Sequence, residues 1–161
     1  MKEETIENII NDFIKVCTLA KIEPPMLKED IIIEELAAGK NHIPTNLPSG
    51  YMAVYIFINE FEGKCYKVGK VGTNSNARYQ SQHYTSASSG SNLAKSILND
   101  YSLNDKIEIQ ENVGTWIKQN TTRINLKLKS NRGAFALSLL EAFVQNRLKP
   151  KYEGFKSQRI E

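Results

Sequence analysis

One run constrains what this chain can fold into. Tyr51 to Ile58, YMAVYIFI, carries no charge and is dominated by aromatic and β-branched side chains, the composition of a strand. Both of its alternating faces are apolar, so it belongs in the middle of a sheet with cover on either side. Asn59 to Gly63 supplies turn residues, and Cys65 to Val71 makes a second strand. A polar connection around Asn74 to Asn76 then delivers Arg78 onto the first turns of a helix capped by Asn74. Side chains alternate across a strand. Tyr51, Ala53, Tyr55 and Phe57 therefore share one face, and Cys65, Lys67 and Gly69 share one on the partner. If the hairpin register sets those two faces together, Tyr55 and Lys67 converge on one point. Tyr66, one residue out of step, points to the other side.

Upstream, Ile6, Ile9, Ile10, Phe13, Val16, Cys17 and Ala20 recur at helical spacing and predict an amphipathic helix over Thr5 to Lys21, ended by Pro24 and Pro25. Lys28 to Ala38 reads as a second helix stopped by Gly39, with Ile31-Ile32-Ile33 open to a strand reading. The polar stretch Gly39 to Gly50, GKNHIPTNLPSG, is the best boundary in the chain. It divides an acidic helical extension, residues 1–48, from a domain of residues 49–161, and His42 within it reads as a solvated loop residue. The extension suits a partner surface, a homodimer contact or a DNA-positioning arm; a helical cover for one sheet face is favoured, since extra helices usually pack.

Beyond Arg78 a helical wheel sets Gln82 beside it, with His83 slightly round. Tyr84 to Asn92 is a Ser/Gly-rich loop suited to phosphate contacts, or equally a connector. Ser91 or Asn92 caps a helix running to about Asp100. Ile107 to Ile109 reads as a short strand, and Trp116 and Ile117 as core, a role favoured over base stacking by Trp116 because buried aromatics outnumber stacking platforms. Arg123 to Lys129, RINLKLK, alternates cleanly. It predicts a half-buried strand with Arg123, Asn125, Lys127 and Lys129 on a basic outer face. Gly133 to Leu148 is a long helix whose apolar residues surround Glu141, and Pro150 ends it. A carboxylate in that setting is costly unless paired with Arg or Lys or bound to a metal.

A net charge of +3 is too small to argue for nucleic acid, but its distribution is informative. Residues 1–48 hold five Lys/Arg against nine Asp/Glu, and residues 113–161 hold ten against three. A basic third beside the hairpin is the footprint that phosphate contacts need, and a solvated basic surface has the same composition. Cys17 and Cys65 lack zinc-type spacing and read as reduced core thiols of a cytoplasmic protein. No apolar run approaches a membrane span. No Walker loop, dinucleotide-binding glycine fingerprint or heptad repeat supports another class.

The hairpin resembles the core of the GIY-YIG nuclease superfamily. Ala53-Val54-Tyr55 stands for the first of its two short strand motifs and Lys67-Val68-Gly69 for the second. An arginine, Arg78, follows at the family's distance, and Glu141 fits the glutamate of a later helix. The resemblance covers Gly50 to about Gly154. Ala53 replaces a glycine, and Lys67 replaces the second motif's tyrosine, as in some restriction-enzyme members. The resemblance implies an α+β fold, with a central three-stranded antiparallel sheet flanked by helices. It implies metal-dependent hydrolysis of phosphodiester bonds in nucleic acid, DNA first. Tyr55 would be general base, Lys67 would lower its pKa or contact phosphate, Arg78 would clamp a phosphate oxygen, and His83 would position water or phosphate. Glu141 would bind Mg²⁺ or Mn²⁺. Lys70, Arg123, Lys127, Lys149 and Lys151 would contact the phosphate backbone. A catalytically inactive nucleic-acid-binding or protein-interaction module on the same fold is the alternative, with Lys67 marking lost chemistry.

Overall fold

The computed structural model describes residues 3–40, 42, 44–87, 93–100, 102–103 and 107–152. Among these residues five α-helices and four strands follow in the order α1 (Glu3–Leu19), β1 (Ile31–Leu36), β2 (Tyr51–Asn59), β3 (Lys64–Val71), α2 (Asn76–Gln80), α3 (Leu93–Leu98), α4 (Ile107–Asn120), β4 (Thr121–Lys129) and α5 (Gly133–Leu148). The strands form one antiparallel sheet in the order β1-β4-β2-β3. The class is α+β as expected, but the sheet has four strands rather than three. The extra strand is β1, which falls where the sequence predicted a second helix. The strand reading left open for Ile31-Ile32-Ile33 is the one the fold takes, and Glu34 faces inward opposite Asn125 of β4, a partner 91 residues away.

Both faces of the sheet are covered, which is why β2 is buried along almost its whole length. On one face Met52, Val54, Ile56, Val68, Ile124, Leu126 and Leu128 meet Ile6, Ile9, Ile10, Phe13 and Cys17 of α1 and Leu137, Leu140 and Val144 of α5. The apolar stripe of α1 thus acts as cover. On the other face Ala53, Tyr55, Phe57 and Val71 pack with Tyr79, Leu93, Ile97, Trp116 and Ile117 from α2, α3 and α4. Each large apolar side chain so buried contributes about 1.5–3 kcal/mol. Cys17 and Cys65 are free, buried thiols.

Several local expectations are corrected. Ile107 to Ile109 opens α4 rather than forming a strand. That helix kinks at Asn112, whose Oδ1 accepts the Thr115 N–H at 3.0 Å and restarts it. Ser75, not Asn74, precedes α2, and its side chain makes no cap. His42 is fully buried rather than solvated, and its Nδ1 lies 2.9 Å from the Tyr84 hydroxyl. β4 is buried on both faces, so its polar alternation marks an interior polar face: Arg123, Asn125 and Lys127 lie under α2 and its neighbours. The proposed cap at Ser91 or Asn92 and the basic tail after Tyr152 lie outside the described residues. No described helix is long and apolar enough to cross a membrane.

Candidate active site on the inner face of the hairpin

Register decides the site. Tyr55 pairs with Gly69 and Phe57 with Lys67, so the Tyr55 and Lys67 side chains share a face, as the conditional expectation required. A bulge between Phe57 and Ile58 then breaks the alternation. Cys65 therefore joins the α1/α5 core, and Tyr66 joins the same cluster as Tyr55 rather than the opposite one. The Tyr66 hydroxyl donates to Glu62 at 2.8 Å. Gly69 matters for a steric reason. A Cβ there would lie 2.5 Å from Cζ and 2.9 Å from Cε2 of Tyr55, and closer still to its hydroxyl. The Tyr55 ring lies across β3 in the space a side chain would fill.

His83 sits on a short 3₁₀ turn, Gln82–Tyr84, so it is not on one continuous helix with Arg78. The turn brings its imidazole 4.5 Å from the Tyr55 ring, centroid to centroid, and 5.5 Å from that of Phe57. Tyr55 and His83 are essentially solvent-free. Among the described residues, neither His83 nitrogen nor the Tyr55 hydroxyl has a well-formed hydrogen-bond partner. Three adjacent buried polar atoms in that condition are unusual, because such groups are nearly always satisfied.

Charge surrounds this pair. Burial, then the cations Arg123, Lys67 and Arg78, hold the His83 imidazole well below its ordinary pKa, so it is neutral. Burial raises the Tyr55 phenol, while Arg78 and Arg123 pull it back and Glu141 pushes it up. The net direction is upward. Lys67 is buried, with its ammonium 3.5 Å from the Tyr152 carbonyl. Arg78 is exposed on α2 beside the Tyr55 hydroxyl. Glu141, half-buried on α5, accepts Lys70 Nζ at 2.7 Å, and the same ammonium donates to Ser138 Oγ at 3.1 Å. The fold therefore gathers Tyr55, Lys67, Arg78, His83 and Glu141 within electrostatic reach of one another. Among the described residues no group of three or more His, Cys, Asp or Glu side chains is placed to hold a metal.

The five lysines and arginines expected along a phosphate backbone divide differently. Lys70 is bound into the site. Lys127 is buried and paired with Glu34 at 2.8 Å, and Arg123 is fully buried, so neither lies on an outer surface. Lys149 is exposed and reaches Asn146 at 2.9 Å, and Lys151 pairs with Asp100 at 2.7 Å. Sequence reasoning missed the polar network beneath the site, in which Glu34 accepts from Tyr79, Asn125 and Lys127. Burial opposes the Glu34 carboxylate, but those three donors hold its pKa below the usual value. No protein-family model matches this chain, and no curated protein or solved structure is significantly similar to it.

Proposed function

We propose that the chain is a phosphodiesterase acting on nucleic acid, an endonuclease of the GIY-YIG type with DNA as its first candidate substrate. One observation carries this reading: a buried phenol beside the Arg78 guanidinium and a neutral imidazole with no hydrogen-bond partner among the described residues lie amid Lys67, Arg78 and Arg123. Polar atoms left unsatisfied next to concentrated positive charge suit a phosphate ester and its attacking water.

Arg78, exposed beside Tyr55, clamps a non-bridging oxygen with its planar fork. Moving toward that phosphate, it uncovers the Tyr55 hydroxyl. Tyr55 must first lose its own proton to solvent, an ionisation that burial opposes and the charges of Arg78 and Arg123 favour; the phenolate then receives a proton from the attacking water. Neutral His83 holds the water through either ring nitrogen, and Lys67 donates to the phosphate. Glu141 fits a cation: an ammonium already sits on one of its oxygens. Glu141 would hold Mg²⁺ or Mn²⁺ together with a substrate phosphate oxygen, and the ion would supply charge neutralisation at phosphorus.

The Lys70–Glu141 pair also favours a second reading, a nucleic-acid-binding module in which that ion pair has replaced the chemistry. Supercoiled plasmid incubated with Mg²⁺ or Mn²⁺, beside EDTA and folded Glu141→Ala and Arg78→Ala proteins, separates the two. Nicking abolished in all three controls supports the nuclease. Salt-sensitive binding without nicking supports the module, and neither behaviour rejects both.

A further inference from the structure

Arg123 lies opposite Phe57 in the centre of the sheet with none of its surface exposed. No carboxylate forms an ion pair with it among the described residues. Burying a cation costs several kcal/mol unless its donors are met. Here Nε donates to Asn125 Oδ1 at 2.9 Å, Nη1 to the Tyr84 hydroxyl at 3.2 Å and Nη2 to the Tyr79 carbonyl at 2.5 Å. The rings of Phe57, Tyr79, Tyr55 and Tyr84 stand 5.1, 5.2, 5.7 and 6.0 Å from the guanidinium carbon, close enough for cation–π attraction. Asn125 and Tyr79 continue to Glu34 at 2.7 and 2.8 Å. A well-packed apolar side chain would be at least as stable at such a position, so stability alone does not explain the arginine. The destination of its donors does.

The shortest of the three bonds ends on the carbonyl of Tyr79, the residue after Arg78. Helix α2 has five residues and no side-chain cap, too short to hold its own shape in water. Leu47 N–H bonds Asn76 Oδ1 at its start, and Tyr79 is gripped at both ends, its hydroxyl by Glu34 and its carbonyl by Arg123. We propose that Arg123 is the positioning residue of this site: through the Tyr79 carbonyl it fixes the short helix that carries Arg78, and so sets Arg78 against Tyr55. The catalytic meaning of that placement rests on the phosphodiesterase reading, whereas the placement itself does not.

Lysine keeps the charge of Arg123 but lacks the planar fork that reaches three acceptors. The test is Arg123→Lys, compared with wild type by urea unfolding, by mass-resolved trypsin cleavage after Arg78, and by plasmid-nicking kinetics. The expected result is a folded protein in which cleavage after Arg78 speeds up about tenfold ahead of every other site, as local opening requires. Alongside it, kcat falls about 100-fold while KM moves little. A folded Arg123→Lys cut after Arg78 no faster than wild type overturns the proposal, as does acceleration shared equally by all sites. Should Arg123→Lys not fold, Tyr84→Phe removes one of its three acceptors together with that hydroxyl's contacts to His42; selective cutting after Arg78 then supports the proposal and unchanged cutting overturns it. Wild type that nicks no substrate defeats the phosphodiesterase reading alone, because the trypsin pattern still decides whether Arg123 holds α2.

Discussion

Gly69→Ala is a one-methyl perturbation whose consequence follows from geometry. The added carbon would stand 2.5 Å from Cζ of Tyr55, whereas non-bonded carbons settle at about 3.5–4 Å. The ring must therefore retreat from β3 by about 1 Å, in a region with no free surface. Overpacking of this kind costs about 1–3 kcal/mol. In a Tyr55→Leu background the obstructing ring is gone. The same substitution should then gain about 0.5–1 kcal/mol, because alanine is the better strand residue. The thermodynamic cycle thus predicts a coupling of about 1.5–4 kcal/mol between positions 55 and 69. Urea unfolding of the four proteins measures it from shifts in midpoint at constant m. Nicking by Gly69→Ala should fall about 100-fold, since displacing a reacting group by about 1 Å costs that much. Equal effects of Gly69→Ala in both backgrounds would refute the steric reasoning.

Acid should weaken the fold before its carboxylates titrate. His42 is pushed down to about 4 by burial and by Arg123 and Lys118, and His83 lies well below its ordinary value. Between about pH 6.5 and those values the unfolded chain binds protons that the folded chain refuses, so stability falls as pH falls. The slope is at most about 1.4 kcal/mol per pH unit for each imidazole, and urea midpoints between pH 7 and pH 5 should flatten in a His42→Gln/His83→Gln protein. In the nicking assay, the raised Tyr55 phenol predicts a rate that climbs with pH above neutrality; a flat profile would remove Tyr55 as base. Lys70→Met should tighten Mn²⁺ binding about fivefold by removing a competitor worth about 1 kcal/mol, read by calorimetry, with Glu141→Gln as the zero.

The parts of this fold legible in the sequence are those fixed by local pattern. The uncharged run of β2, the stripe of α1 and the span of α5 each declare their burial within a few residues. β1 does not, because Glu34 is explained only by donors on α2 and β4. Arg123 illustrates a different gap. Alternation along β4 correctly separated two faces, yet period alone cannot say whether the polar face meets water or a covering layer. The candidate site was legible as a set, since motif order named Tyr55, Lys67, Arg78, His83 and Glu141. It was not legible as an environment. The bulge that redirects Tyr66, and the packing that raises the phenol, arise only when distant segments close over the hairpin.

One backbone detail bears on how the protein can be handled. Past α5, the Lys151 and Tyr152 amides donate to the Cys65 and Tyr66 carbonyls at 3.0 and 2.8 Å, so the chain folds back along the outer rim of β3. The Tyr152 ring meets Tyr66 edge-on, and its hydroxyl bonds Asp100 at 2.6 Å. Those two residues act as a selvedge, finishing a border that would otherwise offer its carbonyls to any passing strand. Shortening the chain to Leu148 would unpick that border and invite polymerisation, whereas a fusion partner attached beyond Tyr152 leaves it sewn.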